Sequence, residues 1–352
     1  MSRALSLLVV LAASTSFAWG FDGHRRLASL MQDAMPAGHC LRSWYSARQT
    51  SALQDKACDP DRWRGNDAAE GPRHYLEIDW ITPLSRYPRD FDAVIALIGA
   101  RNATGNGIVP WHVEVKYGEL VAAFRAKNTT AILDSSFVLS HYVFDSFSVL
   151  HDTRNFDPNM GLHARWESDM LNSLSNINGV TTLAATYYGT AGLADPRNNI
   201  FDVVIAGNGV VPQLIAADVA AAGSIPALYS STRELTARRW GDGVTVMSSL
   251  LWSAWAEAGS PELSGFSTSC SRAAPTAEIV IVGFPPDGGF QHPSDAGVDA
   301  GVDAGVDAGV DAMDAGTDGG SGGSEEAPLG CGCGSVSPLL GLLALGLLRR
   351  RR

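Results

Sequence analysis

Apolar residues recur at helical spacing along most of the chain. Leu27, Leu30, Met31 and Met35 share one helical face and predict a helix over residues 23–35. The same period predicts helices over 92–100, 110–127, 130–149, 162–174, 199–222 and 234–258. Pro110 suits a first turn, where its missing N–H costs nothing. The 130–149 segment is apolar almost all round, as a buried helix would be. Residues 43–59 read as a helix or helical turn followed by a loop, and the polar stretch 62–72 as a loop. Residues 75–80 suit a strand or a helix edge, and the stretch from Pro83 to Pro88 breaks the chain. A Gly/Asn-rich loop follows residue 174, and residues 181–233 carry little further signal. Only 278–284 has the look of a strand. The expected class is mainly α, a single multi-helix globular domain.

The two ends do not share this pattern. Arg3, the apolar run Leu5 to Ala13 and the small-x-small end Ser16-Phe17-Ala18 have the layout of a secretory signal over 1–18. Cleavage there leaves Trp19 as the first residue. From Ser294 the chain repeats Asp-Ala-Gly-Val, with little to bury against the entropy of ordering, so 287–330 reads as a disordered acidic linker. It ends in Gly330-Cys331-Gly332-Cys333, a short apolar stretch and four arginines, Arg349 to Arg352. This combination over 331–352 resembles a myxobacterial-type C-terminal sorting signal. It implies an envelope sorting protease as partner and display at the cell surface or release outside the cell.

What remains, 19–286, is the right size for one domain with one core. The net charge of −11 comes largely from the tail, where ten acidic groups stand against four arginines. No basic stripe offers the many phosphate contacts that tight duplex binding requires. Export means an oxidising compartment, so the three body cysteines, Cys40, Cys58 and Cys270, are disulfide candidates. Cys40–Cys58 is the expected pair, with Cys270 able to replace either partner. No cysteine spacing matches a zinc ribbon.

The histidines carry the chemistry. His141 and Asp145 are four residues apart on one expected helix, and His163 and Glu167 are four apart on the next. That spacing stacks an imidazole and a carboxylate one turn apart on one helix face. One such pair is ordinarily an ion pair on a solvated surface. Two within 27 residues, one of them interrupting an apolar stretch, require partners for buried charge or a metal. Several His and carboxylates without a redox-type cysteine cluster suit zinc.

The full order is Trp19-Gly20-Phe21-Asp22-Gly23-His24, Asp61-Arg62-Trp63-Arg64, His74, His141-x3-Asp145-x5-His151, and His163-x3-Glu167. It resembles the trinuclear-zinc superfamily of bacterial phospholipase C and the S1/P1 nucleases, across more than half of the mature body. The resemblance implies three zinc ions per chain in a monomer. Trp19, through its free α-amino nitrogen and its carbonyl, would share one ion with His24. Asp145 would bridge it to a second ion held by Asp61, His74 and His141. His151, His163 and Glu167 would hold the third. Metal-activated water would be the nucleophile and Asp61 a catalytic proton acceptor. Asp59 is the alternative carboxylate; Asp61 gives the Asp-x-x-Arg pattern with Arg64 seen in the nuclease branch. His39, His112 and His292 match nothing and read as surface or loop residues. Asp152 and Asp157 flank the site in a loop.

The substrate signals divide. The six-residue opening from Trp19 to His24 resembles the nucleases, whereas Glu167 resembles the phospholipases. Ser146 to Leu150 replaces a polar Gln-Pro pair common before the last His. Val109-Pro110-Trp111 and Gly161 to Arg165 resemble bacterial proteins grouped with zinc-dependent phospholipase C. The expectation is therefore a phospholipase C-like hydrolase acting on a phospholipid headgroup. A single-strand nuclease is the alternative, and a surface-displayed binding protein on an inactive zinc scaffold a further one. Arg64, Tyr75 and Phe147 are candidate substrate contacts. Tyr75, Phe147 and Trp63 are also the candidate stacking platform for a nucleic-acid strand.

Overall fold

The computed structural model describes residues 19–281; the expected signal segment, linker and sorting segment, and positions 282–284 of the expected strand, lie outside them. Among the described residues the chain is mainly helical, with twelve α-helices and no sheet. In chain order they are α1 (Gly20–Leu30), α2 (Cys40–Ser46), α3 (Ser51–Lys56), α4 (Asp59–Trp63), α5 (Phe91–Ile98), α6 (Ala100–Gly105), α7 (Val109–Arg125), α8 (Thr129–Asp145), α9 (Leu162–Glu167), α10 (Leu174–Ala184), α11 (Pro196–Ala221) and α12 (Ile225–Glu257).

The longest helix, α12, is the axis. The Ser224 hydroxyl accepts the Ala227 N–H, and proline in the first turn fits where donors are unpaired anyway. From Leu235 to Trp255 nearly every residue is buried, and α7, α8, α10 and α11 all pack on it. Helix α8 is capped by Asn128, whose side chain accepts the Ala131 N–H. It is buried from Leu139 to Asp145, between α7, α12, α1 and α3. Its polar residues are paired inside the core: Ser136 meets the Tyr45 hydroxyl at 2.7 Å. Helix α11 is long and apolar enough to cross a membrane by length and composition, and it packs against α7 and α12.

Several expectations need correction. The expected 92–100 helix stops at Gly99, whose φ of 81° turns the chain into a separate helix, α6. The 162–174 helix breaks after Glu167 into a 3-10 turn, and α10 occupies ground expected to be loop. Helix α12 starts nine residues before Glu234, because its cap and proline, rather than its apolar period, mark its beginning. The expected 43–59 helix-plus-loop is three short helices, the last carrying Asp61. Residues 75–80 pass through a 3-10 turn, Ile78–Trp80, rather than a strand. The described part of the expected 278–284 strand makes only isolated bridges, Val280 with Thr190 and Glu278 with Leu193.

The disulfide also differs: Cys40 pairs with Cys270, across a sequence separation of 230. The backbone explains the choice. Cys40 N–H donates to Ser271 O at 2.8 Å, and Ser271 N–H to Gly38 O, laying the two segments side by side. Cys58 instead is buried at the start of α4, with its thiol 3.5 Å from Phe21 O. Burial pushes that thiol up to about 12 against the pull of Arg25 and Arg62, so it stays protonated. A peptide map without reductant should return Cys40 linked to Cys270, and alkylation should reach Cys58 only after unfolding. A Cys40–Cys58 peptide would contradict the fold at this point.

Candidate metal centre

Four elements bring ionisable side chains to one buried place. On α1 the residues Gly23, His24, Leu27 and Ala28 form the inward face, so His24 enters the core with them. On α4 two residues turn the helix by about 200°. Asp61 is therefore buried, while Asp59 faces outward and pairs with Arg62 at 2.8 Å. His74 ends the 3-10 turn Gly71–His74. His141 and Asp145 share one face of α8.

The side chains meet at Asp145. Its Oδ1 lies 3.2 Å from His24 Nε2, and its Oδ2 lies 2.8 Å from His74 Nδ1 and 3.1 Å from His141 Nε2. Asp61 Oδ1 stands 3.8 Å from both His74 Nδ1 and His141 Nε2. His24 and His141 stack with centroids 4.1 Å apart. All five side chains are fully buried.

A second group lies alongside. His163 and Glu167 face each other across one turn of α9, Nε2 to Oε2 2.6 Å, with His151 Nε2 3.9 Å from the same oxygen. Helix α9 is started by the Asp157 carboxylate, which accepts the Gly161 and His163 N–H groups. The Ser148 hydroxyl donates to the other oxygen of Glu167. The two groups are coupled: His151 Nδ1 donates to His74 O at 2.8 Å, and Leu76 N–H donates to His151 O at 3.0 Å.

The outward nitrogens decide what the inward ones can do. His141 Nδ1 lies 2.7 Å from Ala57 O and donates its proton there, so Nε2 is the nitrogen that faces Asp145 and Asp61 and would offer its lone pair once a cation displaced its proton. His151 is arranged the same way, with Nε2 toward Glu167. Pinning one ring nitrogen to a carbonyl so that the other presents a lone pair is how metal-ligating histidines are held. Several inward atoms have no hydrogen-bond partner: both His24 nitrogens, both Asp61 oxygens, Asp145 Oδ1, His163 Nε2 and Glu167 Oε2. His163 and Glu167 approach closely without hydrogen-bond geometry, as donors facing a common point would. Ligand atoms around a four-coordinate ion with bonds of about 2.0–2.1 Å sit roughly 3.3 Å apart, and the 2.8–3.8 Å spacings around Asp145 and Asp61 bracket that value. Three sets within these residues have atoms close enough to share an ion: His24, Asp61, His141; His74, His141, Asp145; and His151, His163, Glu167. These buried groups could hold metal ions.

Electrostatics agrees. Burial opposes a charge on His141, but Asp145 and Asp61 outweigh it and raise the imidazole to about 9. Burial likewise opposes the Asp145 carboxylate, and His141, His24 and His74 hold it well below the usual range. Burial lowers His151, whereas Glu167 raises His163 against burial. A carboxylate field that retains a proton on His141 also favours a divalent cation, whose binding would release that proton.

Residues outside the candidate ligands fix this geometry, and sequence pattern alone missed them. Arg239 of α12 is buried. Its guanidinium donates to Ser146 O and Phe147 O, both at 2.9 Å, closing the end of α8 just past Asp145. It also meets Asp152 Oδ2 at 3.3 Å, next to His151. Asn208 of α11 donates to Asp152 O at 2.9 Å. The Trp19 indole N–H donates to Phe144 O at 2.8 Å, and its ring lies between Trp166 and Trp240. Trp19 is therefore anchored beside both Asp145 and Glu167 by its side chain.

Other expected residues fall elsewhere. Phe147 is 1 % exposed beneath the Arg239 guanidinium, so it belongs to the core and offers no substrate face. Tyr75 is buried, with its hydroxyl donated to Gly105 O. Trp63 is exposed. Arg64 Nη1 is 3.5 Å from Asp61 Oδ1, and its charge also acts on His163, placing it beside both groups. His39 is not a surface residue: it is buried, caps α2 and packs on Trp252 and Trp255. His112 is half-buried against Tyr142. His292 lies outside the described residues. Comparison of the chain with known protein families and with curated proteins finds no match.

Gly207 tests this support. A Cβ there would come within 1.8 Å of Asp152 Oδ2 and 2.7 Å of Arg239 Nη2. Gly207→Ala should cost about 1–3 kcal/mol in urea unfolding, the usual range for overpacking. Metal binding at the His151 side should weaken with it. A variant as stable as the parent would contradict the close α11 contact.

Proposed function

We propose that this chain is an exported zinc-dependent phosphodiester hydrolase with phospholipase C-like activity. The observation that carries the reading is Asp145, whose two oxygens face different histidines, His24 on one side and His74 with His141 on the other. A carboxylate so placed could serve ions on both sides, and the separate His151, His163, Glu167 group could hold a further one. The donors are imidazole and carboxylate with no cysteine among them, which suits zinc. Trp19 would complete the His24 side through its backbone. Its carbonyl accepts the Gly23 N–H at 3.1 Å and retains a second lone pair. Its α-nitrogen becomes an amine only if the chain is cut before it.

Bound zinc supplies Lewis acidity that polarises phosphate oxygens and brings the pKa of water toward neutrality. The chain's own residues do the rest. Both buried oxygens of Asp61 lack a hydrogen-bond partner, so it can accept a proton at the metal edge. Arg64, 11 % exposed, puts a guanidinium at the rim, where it would meet a phosphate oxygen and offset charge gained in displacement. The buried walls exclude water from the carboxylates, which strengthens each of these interactions.

The lipid reading is favoured over a single-strand nuclease because Tyr75 and Phe147 are core, which leaves Trp63 alone of the three aromatic candidates for a base-stacking platform. Zinc-loaded protein should hydrolyse phosphatidylcholine vesicles and lose that activity to chelator. Cleavage of single-stranded DNA but not lipid would transfer the assignment to the nuclease branch, and inertness toward both would overturn the hydrolase. Two residues added before Trp19 should abolish activity while leaving the fold intact by circular dichroism. Full activity of that extended chain would remove Trp19 from the ligand set.

A further inference from the structure

Glu70 is 1 % exposed, one turn before His74 and on the side of that ring away from the cluster. Two side chains donate to its two oxygens and a third faces them. The Tyr142 hydroxyl donates to Oε1 and Arg73 to Oε2. His74 Nε2 stands 3.4 Å from Oε1, its nearest carboxylate, and has no hydrogen-bond partner. Meanwhile His74 Nδ1 points inward, 2.8 Å from Asp145 Oδ2 and 2.9 Å from His141 Nε2. His141 and His151 both lean on backbone carbonyls. His74 is the ring of the central cluster that leans on a charged group.

We infer that Glu70 is a positioning residue for metal binding: it faces His74 Nε2 and would accept its proton, so that Nδ1, which meets Asp145 in the metal-free chain, could give its lone pair to an ion shared with His141 and Asp145. The inference rests on the metal-centre reading above. A carboxylate behind a ligating imidazole fixes the tautomer, limits ring rotation and makes the ligand nitrogen more basic. Tyr142 extends the relay. It follows His141 on α8, and its ring meets His74 edge-on at 5.4 Å and His112 at 4.4 Å. The same helix thus supplies a ligand, His141, and the group that aims Glu70 at another ligand. His112 has a place here as the side wall of Tyr142.

Glutamine is the informative replacement. It matches glutamate in shape but has one acceptor oxygen where Tyr142, Arg73 and His74 meet. Glu70→Gln should lower zinc affinity by about 10- to 100-fold, the range for losing such a partner, read by competition with a chromophoric chelator. Tyr142→Phe, which keeps the carboxylate, should lower it less and in the same direction. A second readout separates positioning from packing. Long-range proton–nitrogen NMR of the zinc-loaded protein should show one His74 state, with its proton on Nε2, in the parent and a second His74 state in Glu70→Gln. Parent affinity in both variants with only a lower melting temperature would overturn the inference and leave the metal reading intact. If the parent itself binds no zinc, the metal reading falls first, and this inference with it. Should Glu70→Gln not fold, Tyr142→Phe decides by the same two measurements.

Discussion

The candidate site is arranged around a buried carboxylate that ordinary hydrogen bonding satisfies on one oxygen only. Asp145 lies fully inside the protein at the last turn of α8, with imidazole nitrogens on both of its oxygens and Asp61 close behind. Two unneutralised carboxylates at that depth cost several kcal/mol each, of order 3–5 for a buried charge stripped of its partner. Protonated histidines reduce the cost, as the raised His141 indicates. Divalent ions would reduce it further.

The scaffold meets the positional demands of that cluster with long helices and buried pins. Helix α8 brings two candidate ligands, His141 and Asp145, in register and takes its depth from α7 and α12. Arg239, the one buried cation of α12, reaches across to finish the open carbonyls after α8. Its contact with Asp152 ties the His151 turn to the same axis. Trp19 does comparable work at the other side, bonding to the carbonyl before Asp145 and packing on the residue before Glu167. A shift of any one pin would move ligands of both groups, because His74 and His151 exchange backbone contacts.

The helical class and the pairs His141–Asp145 and His163–Glu167 were legible because they follow short-range rules, whereas His24, Asp61, His74 and His151 entered only through a resemblance in residue order. An i,i+4 pair on an apolar helix declares its own geometry, as with His141 and Asp145. What was not legible depends on distant segments. Cys270 reaches Cys40 through backbone pairing near Ser271 that no spacing announces. Glu70, Arg239 and Ser148 carry no pattern in the sequence that marks them as buried, and all three are buried in the fold. Phe147 lies in a stretch that could face a substrate or a core. The choice falls to the core because Arg239 covers its ring.

The central claim is that these buried groups are a three-ion zinc centre. Elemental analysis of the purified exported protein, with chain concentration measured on the same sample, tests it most directly. The account predicts close to three zinc per chain, removable by chelator and restored on adding zinc back. One zinc or none per chain in a folded sample supplied with the metal would contradict it.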